Sequence, residues 1–266
     1  MNAALNQKVV LVTGASGGIG QAIARAFAAE GARVVLHYHR CKAAAEKLAR
    51  ELGGAETIAL RADMTREREV KQLFARARRE FGRLDTLVAN AGIWVERDAP
   101  IHKMPLAQWR RTIDTDLTSV FLCCREFAKI VKQQRRGNVV LVGSTAGIFG
   151  EPGHAYYAAA KSALAYGLTR TLKNEFAKLA PPTRDYCGAR VNCVCPGWTV
   201  SPMTAAHLKD TALIRRATAT MALPKLARAE DVANAIVFLA SDKLAGHITG
   251  QTLVVAGGME GRLLWH

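Results

Sequence analysis

A chain of 266 residues, 50% of them apolar and 22% charged, is long enough for one α/β unit with a large core. No run approaches the roughly 18 consecutive apolar residues of a membrane span, and Met1 to Lys8 lack the basic-then-apolar layout of a secretory signal, so a cytoplasmic protein is expected. The net charge of +15 gathers in Arg76–Arg83, Arg110-Arg111 and Arg125–Arg136, where apolar residues keep core spacing. Solvated helix faces explain it best, an acidic partner or substrate is the sharper reading, and nucleic-acid binding lacks a recognisable module or interleaved aromatics.

Val9–Thr13 reads as a short strand, followed by Gly14-Ala15-Ser16-Gly17-Gly18-Ile19-Gly20 and a helical pattern through Glu30. Strand, glycine loop and helix form a phosphate cradle: missing side chains let the backbone approach, and the helix N-terminus supplies N–H groups and a positive dipole end. The loop alone would also serve as a plain turn; between these two elements it favours a dinucleotide. Arg33–Tyr38 is the second strand. Its tip, His37-Tyr38-His39-Arg40, has no acid for an adenosine ribose 2′-OH, and Arg40 with His39 would accept a 2′-phosphate, favouring NADPH over NADH. Otherwise Arg40 is only the first polar residue of the next helix.

A helix over Lys42–Leu52 leads to strand Thr57–Ala62, with Asp63-Met64 at its end. Arg68–Phe81 is helical, and Leu84–Ala89 is a strand closed by Asn90-Ala91-Gly92. The helical region Leu106–Gln134 precedes strand Asn138–Gly143, whose tip would present Ser144. Tyr157 begins another long helix, reaching about Ala180 and stopped by Pro181-Pro182. Tyr157 and Lys161 are four apart and share a face of it. An ammonium beside a phenol stabilises the phenolate, which is expected to lower Tyr157 from the free value of about 10, toward proton exchange with a hydroxyl or carbonyl oxygen.

Arg190–Val194 is strand, with Cys193 and Cys195 on one face. The cysteines at 41, 123, 124, 187, 193 and 195 include no Cys-x-x-Cys pair, so buried reduced thiols are expected rather than a metal or redox site. Pro196-Gly197 turns into Trp198–Met221, a lid region of about 198–222 whose composition suits mobility. Glu230–Ala240 is the last helix expected and Thr252–Ala256 the last strand. Strands and helices alternate without a linker, which predicts one domain over 1–266, an α/β parallel sheet with helices on both faces and right-handed crossovers. The insertion Ala180–Tyr186 is expected on the surface.

Together these motifs resemble the short-chain dehydrogenase/reductase family from about Lys8 to Gly258: Thr13–Gly20, Asn90-Ala91-Gly92, Ser144 with Tyr157 and Lys161, Pro196-Gly197, and Ile248-Thr249-Gly250-Gln251 with Gly257-Gly258. The resemblance implies a Rossmann-like, doubly wound parallel sheet of seven strands, a homotetramer or homodimer, and NAD(P)(H)-dependent interconversion of a carbonyl and a secondary alcohol. It makes Tyr157 the general acid/base. Lys161 would bind the nicotinamide ribose and depress the tyrosine pKa, and Ser144 would hydrogen-bond the reacting oxygen. Gly14, Ser16, Gly18, Ile19 and Gly20 would hold the cofactor at the loop, and Asp63 with Met64 would lie at the adenine. Asn90, Ala91 and Gly92 would lie at the ribose region. Ser201, where the family more often has Thr, would meet the carboxamide, and Val194 to Gly197, with Pro196, would wall the nicotinamide. Asp116 fills the place of a family Asn that helps to hold a proton-relaying water, which implies retained activity with an altered pH profile.

The substrate end would draw on Ile93, Trp94, Phe149, Glu151, His154, Trp198, Met203, His207 and Met221, an apolar pocket with a few polar groups. His154 would contact substrate or simply face solvent. Within the family the chain is similar to NADPH-dependent 3-oxoacyl-[acyl-carrier-protein] reductases, in which positions matching Arg135 and Lys178 flank the entrance and favour the acidic carrier. A sugar, polyol or secondary-alcohol dehydrogenase is the alternative enzyme. A catalytically inactive dinucleotide-binding sensor or scaffold is the alternative of another class.

Overall fold

The computed structural model describes residues 2–53, 56–95, 98–202, 204–205 and 210–261. Seven strands make one parallel sheet in the order β3-β2-β1-β4-β5-β6-β7. They are β1 Val9–Val12, β2 Arg33–Tyr38, β3 Thr57–Arg61, β4 Thr86–Ala89, β5 Asn138–Val142, β6 Arg190–Pro196 and β7 Thr252–Val255. The inner strands, mostly apolar, are buried at every position but Arg33 because both faces of the sheet are covered. Val9 and Leu11 of β1 point to one core, Val10 and Val12 to the other; Val139 and Leu141 of β5 oppose Val140 and Val142 in the same way.

Helices α1 (Gly18–Ala29) and α2 (Lys42–Glu51) follow β1 and β2, and α10 (Ala229–Ala240) packs against α1. On the other face lie α3 (Glu67–Phe81), α5 (Ser119–Gln134) and α8 (Thr169–Leu179). The two long helical stretches are each widened once. A π-helical turn, Asp114–Thr118, joins α4 (Leu106–Ile113) to α5, and another, Ala163–Leu168, joins α7 (Ala155–Ser162) to α8. The alternation of apolar residues predicted these helices but not the π turns, which change winding without changing composition.

Two short elements depart from expectation. Helix α6 (Ala146–Phe149) follows β5, and α11 (Asp242–Ala245) follows what was expected to be the last helix, capped where Leu244 N donates to Ser241 Oγ at 3.0 Å. Within the lid region, α9 (Thr211–Thr218) starts at Asp210, whose Oδ1 accepts from Leu213 N at 2.9 Å. The cysteine expectation holds for Cys123, Cys124, Cys193 and Cys195, which are buried and unbridged, with Cys193 Sγ 3.8 Å from Cys195 Sγ. It fails for Cys41, exposed at the start of α2 beyond the sheet, and for half-buried Cys187 in the loop before β6.

The insertion lies on the surface from Pro181 to Asp185 but is anchored at Tyr186. The buried phenol of Tyr186 accepts from Gly137 N at 2.9 Å and donates to Gly137 O at 3.1 Å. The arginines of α3 and α4 mostly face solvent, as a solvated-face reading requires. Among the described residues no helix is long and apolar enough to cross a membrane.

Candidate active site

The order of the sheet reverses between β1 and β4, and a crevice outside strand ends at such a switch point is where α/β sheets bind ligands. Here a cavity of about 260 Å³ opens beyond β1, β4, β5 and β6. Its walls are the glycine loop, the segment Asn90–Trp94, the turn Val142–Ala146, Tyr157 and Lys161 of α7, Asp116, Glu151, and Pro196–Thr199 with Ser201, Pro202 and Thr204.

The glycine loop meets α1 closely. A Cβ at Gly20 would lie 2.2 Å from Gly14 O, so only glycine lets the loop fold onto the first turn. Gly17 offers that turn no side-chain cap, which leaves a helix N-terminus suited to phosphate. Asn90 joins the loop to β4: its Nδ2 donates to Thr13 O at 2.9 Å, while Asn90 N and Ala91 N donate to Thr13 Oγ1 at 2.9 Å. This cradle of glycines and backbone donors fits a nicotinamide dinucleotide.

Ser16, His39, Arg40, Asp63 and Met64 stand outside the cavity walls. His39 Nε2 is 3.9 Å from Asp63 Oδ2, and Arg40 is exposed at the strand tip. Burial raises the Asp63 pKa, but hydrogen bonds from Thr65 and the charges of His39 and Arg66 carry it below the usual carboxylate value. Met64 is buried in the core behind β3.

Ser144, Tyr157 and Lys161 converge on the cavity. Ser144 Oγ accepts from Ala146 N at 3.1 Å and lies close enough to the Tyr157 phenol to favour its ionised form. Lys161 Nζ is 5.5 Å from the centre of the Tyr157 ring, and it donates to Val142 O at 3.3 Å. Its other neighbour is Asp116, whose Oδ2 is 3.6 Å away and has no hydrogen-bond partner, while Oδ1 accepts from Ile93 N at 2.8 Å. The π turn aims Asp116 inward, and Gly92 leaves the room: a Cβ there would lie 3.0 Å from Asp116 Oδ2 and 3.1 Å from Lys161 Nζ.

The electrostatics reverse one expectation. Burial raises the Tyr157 pKa; Lys161 and the Ser144 hydroxyl oppose this, Asp116 and Glu151 add to it, and the phenol ends above its ordinary value rather than below. The Lys161 ammonium is pushed down by burial, yet Asp116 and Tyr157 hold it above the ordinary lysine value. Burial also raises the Asp116 carboxyl, against the pull of Lys161 and of Ile93 N–H.

At the substrate end, Ile93, Trp94, Glu151 and Trp198 line the cavity. Phe149 and Trp198 pack with Met221, Ala256 and Met259 beneath the lid region. Met203 and His207 lie outside the described residues. His154 corrects both sequence alternatives, since it neither lines the cavity nor faces solvent. Its ring stacks on Trp94 at 4.7 Å and its Nε2 is 2.9 Å from Val95 O, so it braces the wall from behind. Arg135 and Lys178 are also displaced from the expected entrance. Each precedes a strand, β5 or β6, at the end of the sheet opposite Ser144, where Arg135 lines a separate depression with Arg78, Arg83 and Arg136.

Ser201 lines the cavity and is braced by Thr204, which sequence spacing did not single out: Ser201 N donates to Thr204 Oγ1 at 3.0 Å, and that hydroxyl donates to Thr199 O at 2.7 Å. Among the described residues no cluster of His, Cys, Asp and Glu could hold a metal ion.

The family model described as enoyl-(acyl carrier protein) reductase matches residues 14–260. A 3-oxoacyl-[acyl-carrier-protein] reductase of Synechocystis sp. is 40% identical over 258 residues, 96% of this chain and 98% of its own. A cis-4-hydroxycyclohexanecarboxylate dehydrogenase of Sinomonas cyclohexanicum is 41% identical over 262 residues, 97% of this chain and 98% of its own. The crystal structure of gox2181 matches with a TM-score of 0.87 at 28% identity, covering 96% of each chain.

Proposed function

Because the chain belongs to the short-chain dehydrogenase/reductase family, we propose that it reduces 3-oxoacyl thioesters with NADPH. It is an oxidoreductase of the carbonyl and secondary-alcohol pair that uses a nicotinamide dinucleotide. The observation that carries the finer reading is the convergence of Ser144, Tyr157 and Lys161 on a cavity that also contains the glycine loop.

Gly14, Gly18, Ile19 and Gly20 hold the phosphates, and Asn90–Gly92 border the ribose region. Ser201, Pro196 and Gly197 border the nicotinamide. When bound, the nicotinamide supplies the hydride. Tyr157 gives its phenolic proton to the substrate oxygen as that oxygen gains negative charge, and Ser144 donates a hydrogen bond to the same oxygen. A phenol raised by burial stays protonated at neutral pH, which is the state carbonyl reduction needs. Lys161, kept cationic by Asp116, faces the phenolate that remains. Arg40 and His39 support the choice of NADPH, with NADH as the weaker substitute.

The working protein is proposed to be a single unit over 1–266 that assembles as a homotetramer or homodimer; exposed Phe121 on α5 and Leu253 and Val254 on the edge strand β7 support association. The carbonyl is carried on a small thiol or on an acidic carrier protein. Salt separates these, since only the carrier's KM should climb steeply with ionic strength.

The test is turnover of an acetoacetyl thioester with NADPH and NADH side by side, against sugars, polyols and cis-4-hydroxycyclohexanecarboxylate. Thioester reduction with NADPH preferred is expected. Turnover of an alcohol or sugar alone would move the reading to a dehydrogenase; cofactor binding without any turnover would leave a sensor.

A further inference from the structure

We propose that His37 is a positioning residue for the cofactor loop, a neutral imidazole strut that fixes the first glycine of the loop to the strand end bearing Asp63. The proposal rests on the cofactor assignment above.

The side chain of His37 projects from β2 into the core and is 2% exposed. Gly14 N donates to its Nδ1 at 3.0 Å, and its Nε2 lies 3.0 Å from Ala62 O. A backbone N–H can only donate and a carbonyl can only accept. The ring is therefore held in one tautomer, with the proton on Nε2 and a bare lone pair on Nδ1. The main chain adds a second tie, Ala15 N donating to His37 O at 2.9 Å. At the far side Ala62 leads directly into Asp63, whose carboxylate is 3.9 Å from His39. One ring thus sets the spacing between the phosphate cradle and the segment at the adenosine end. A core histidine satisfied by any two partners would be the plainer reading; here one partner, Gly14, lines the cavity and the other, Ala62, leads into the segment assigned to the adenosine end.

The strut fails in a defined way. A second proton on Nδ1 would oppose the Gly14 N–H and cost the loop its acceptor. Burial lowers the His37 pKa to about 4, the Ala62 hydrogen bond and Asp63 oppose the shift, and His39 adds to it. The titratable groups facing the ring are His39, just past the end of β2, and Asp63 beyond β3; the glycine loop carries no titratable side chain. A histidine whose folded pKa lies below its unfolded value is protonated more readily when the local structure opens. Loop order is complete above the unfolded value and is lost as pH falls toward 4.

Two variants test this. His37→Leu removes both hydrogen bonds at similar bulk. His37→Asn keeps an acceptor near Gly14 but cannot titrate or reach Ala62. NADPH dissociation constants come from fluorescence titration, and thermal midpoints are taken without cofactor. His37→Leu is expected to weaken NADPH about tenfold, because the half-buried Gly14 N–H loses the acceptor that fixes the loop, while the substrate KM at saturating NADPH stays within about twofold. Between about pH 6 and about pH 4, down to the value to which burial lowers His37, wild type is expected to lose NADP+ affinity relative to His37→Asn, with NAD+ as the control for ionisation of the 2′-phosphate. A folded His37→Leu that binds NADPH within about twofold of wild type would overturn the proposal. If the leucine variant does not fold, equal pH dependence of wild type and His37→Asn would overturn it instead. Wild type binding neither NADPH nor NADH would strike the cofactor assignment and not this residue's role.

Discussion

Asp116 Oδ2 stands 3.6 Å from Lys161 Nζ with both side chains buried, so the ammonium that serves the phenol already has a carboxylate partner. The expected role of Lys161 was to pull the Tyr157 pKa down; Asp116 partly cancels that pull and adds its own push upward. The pair keeps the phenol protonated to higher pH and delays formation of the phenolate.

Asp116→Asn should therefore move the basic limb of the pH–rate curve for reduction to lower pH. Removing the negative charge lowers the Tyr157 pKa, and reduction stops as the phenol loses its proton. A curve that does not move would show the charge to be irrelevant. Asp116→Ala should also cost stability, about 3–5 kcal/mol, because Lys161 is left buried without a counter-charge. Denaturant titration of both variants reads the difference.

Tyr157→Phe removes only the phenolic oxygen from a side chain already seated in the cavity wall. Turnover should drop by about 10²–10⁴, while NADPH affinity and thermal midpoint stay close to wild type. Retained turnover would mean that another group supplies the proton.

Arg40→Asp places an acid at the exposed tip of β2, beside His39. The ratio of kcat/KM for NADPH over NADH should fall by about tenfold or more, since the acid repels a 2′-phosphate and accepts a ribose hydroxyl. An unchanged ratio would assign the preference to residues away from this tip.

Tyr186→Phe leaves Gly137 N and Gly137 O without the phenol they share. A loss of about 1–3 kcal/mol is expected from the buried Gly137 N–H, since Gly137 O keeps Arg190 N at 3.4 Å, with kcat and KM unchanged because the contact lies at the end of β5 away from Ser144. A fall in kcat without a fall in stability would contradict that division.

What sequence made legible was local. The glycine loop, the Tyr157 and Lys161 spacing and the strand runs each depend on neighbours within a few residues, and each falls where spacing predicted. The misses depend on distance. Nothing near His154 reveals that Trp94 and Val95, far upstream, come to lie across it. The direction of the Tyr157 shift depends on burial, which no pair of residues announces. Arg135 and Lys178 were misplaced although helix direction carries the answer: a residue ending a helix that leads into a parallel strand sits at the strand's N-terminal end, away from the chemistry.

The π turns at Asp114–Thr118 and Ala163–Leu168 set a condition that residue identity alone does not express. Each extra residue in such a turn offsets the following helix by about 100° relative to an unbroken α-helix. Asp116 meets Lys161 through that winding. Shortening the first stretch by a single amino acid would re-form an ordinary spiral and turn Asp116 off Lys161, and shortening the second would turn α8 relative to α7, although every functional side chain remained in the protein. Length tolerance in these two helices should consequently be far narrower than substitution tolerance on their outer faces, a contrast that paired deletion and alanine scans would expose.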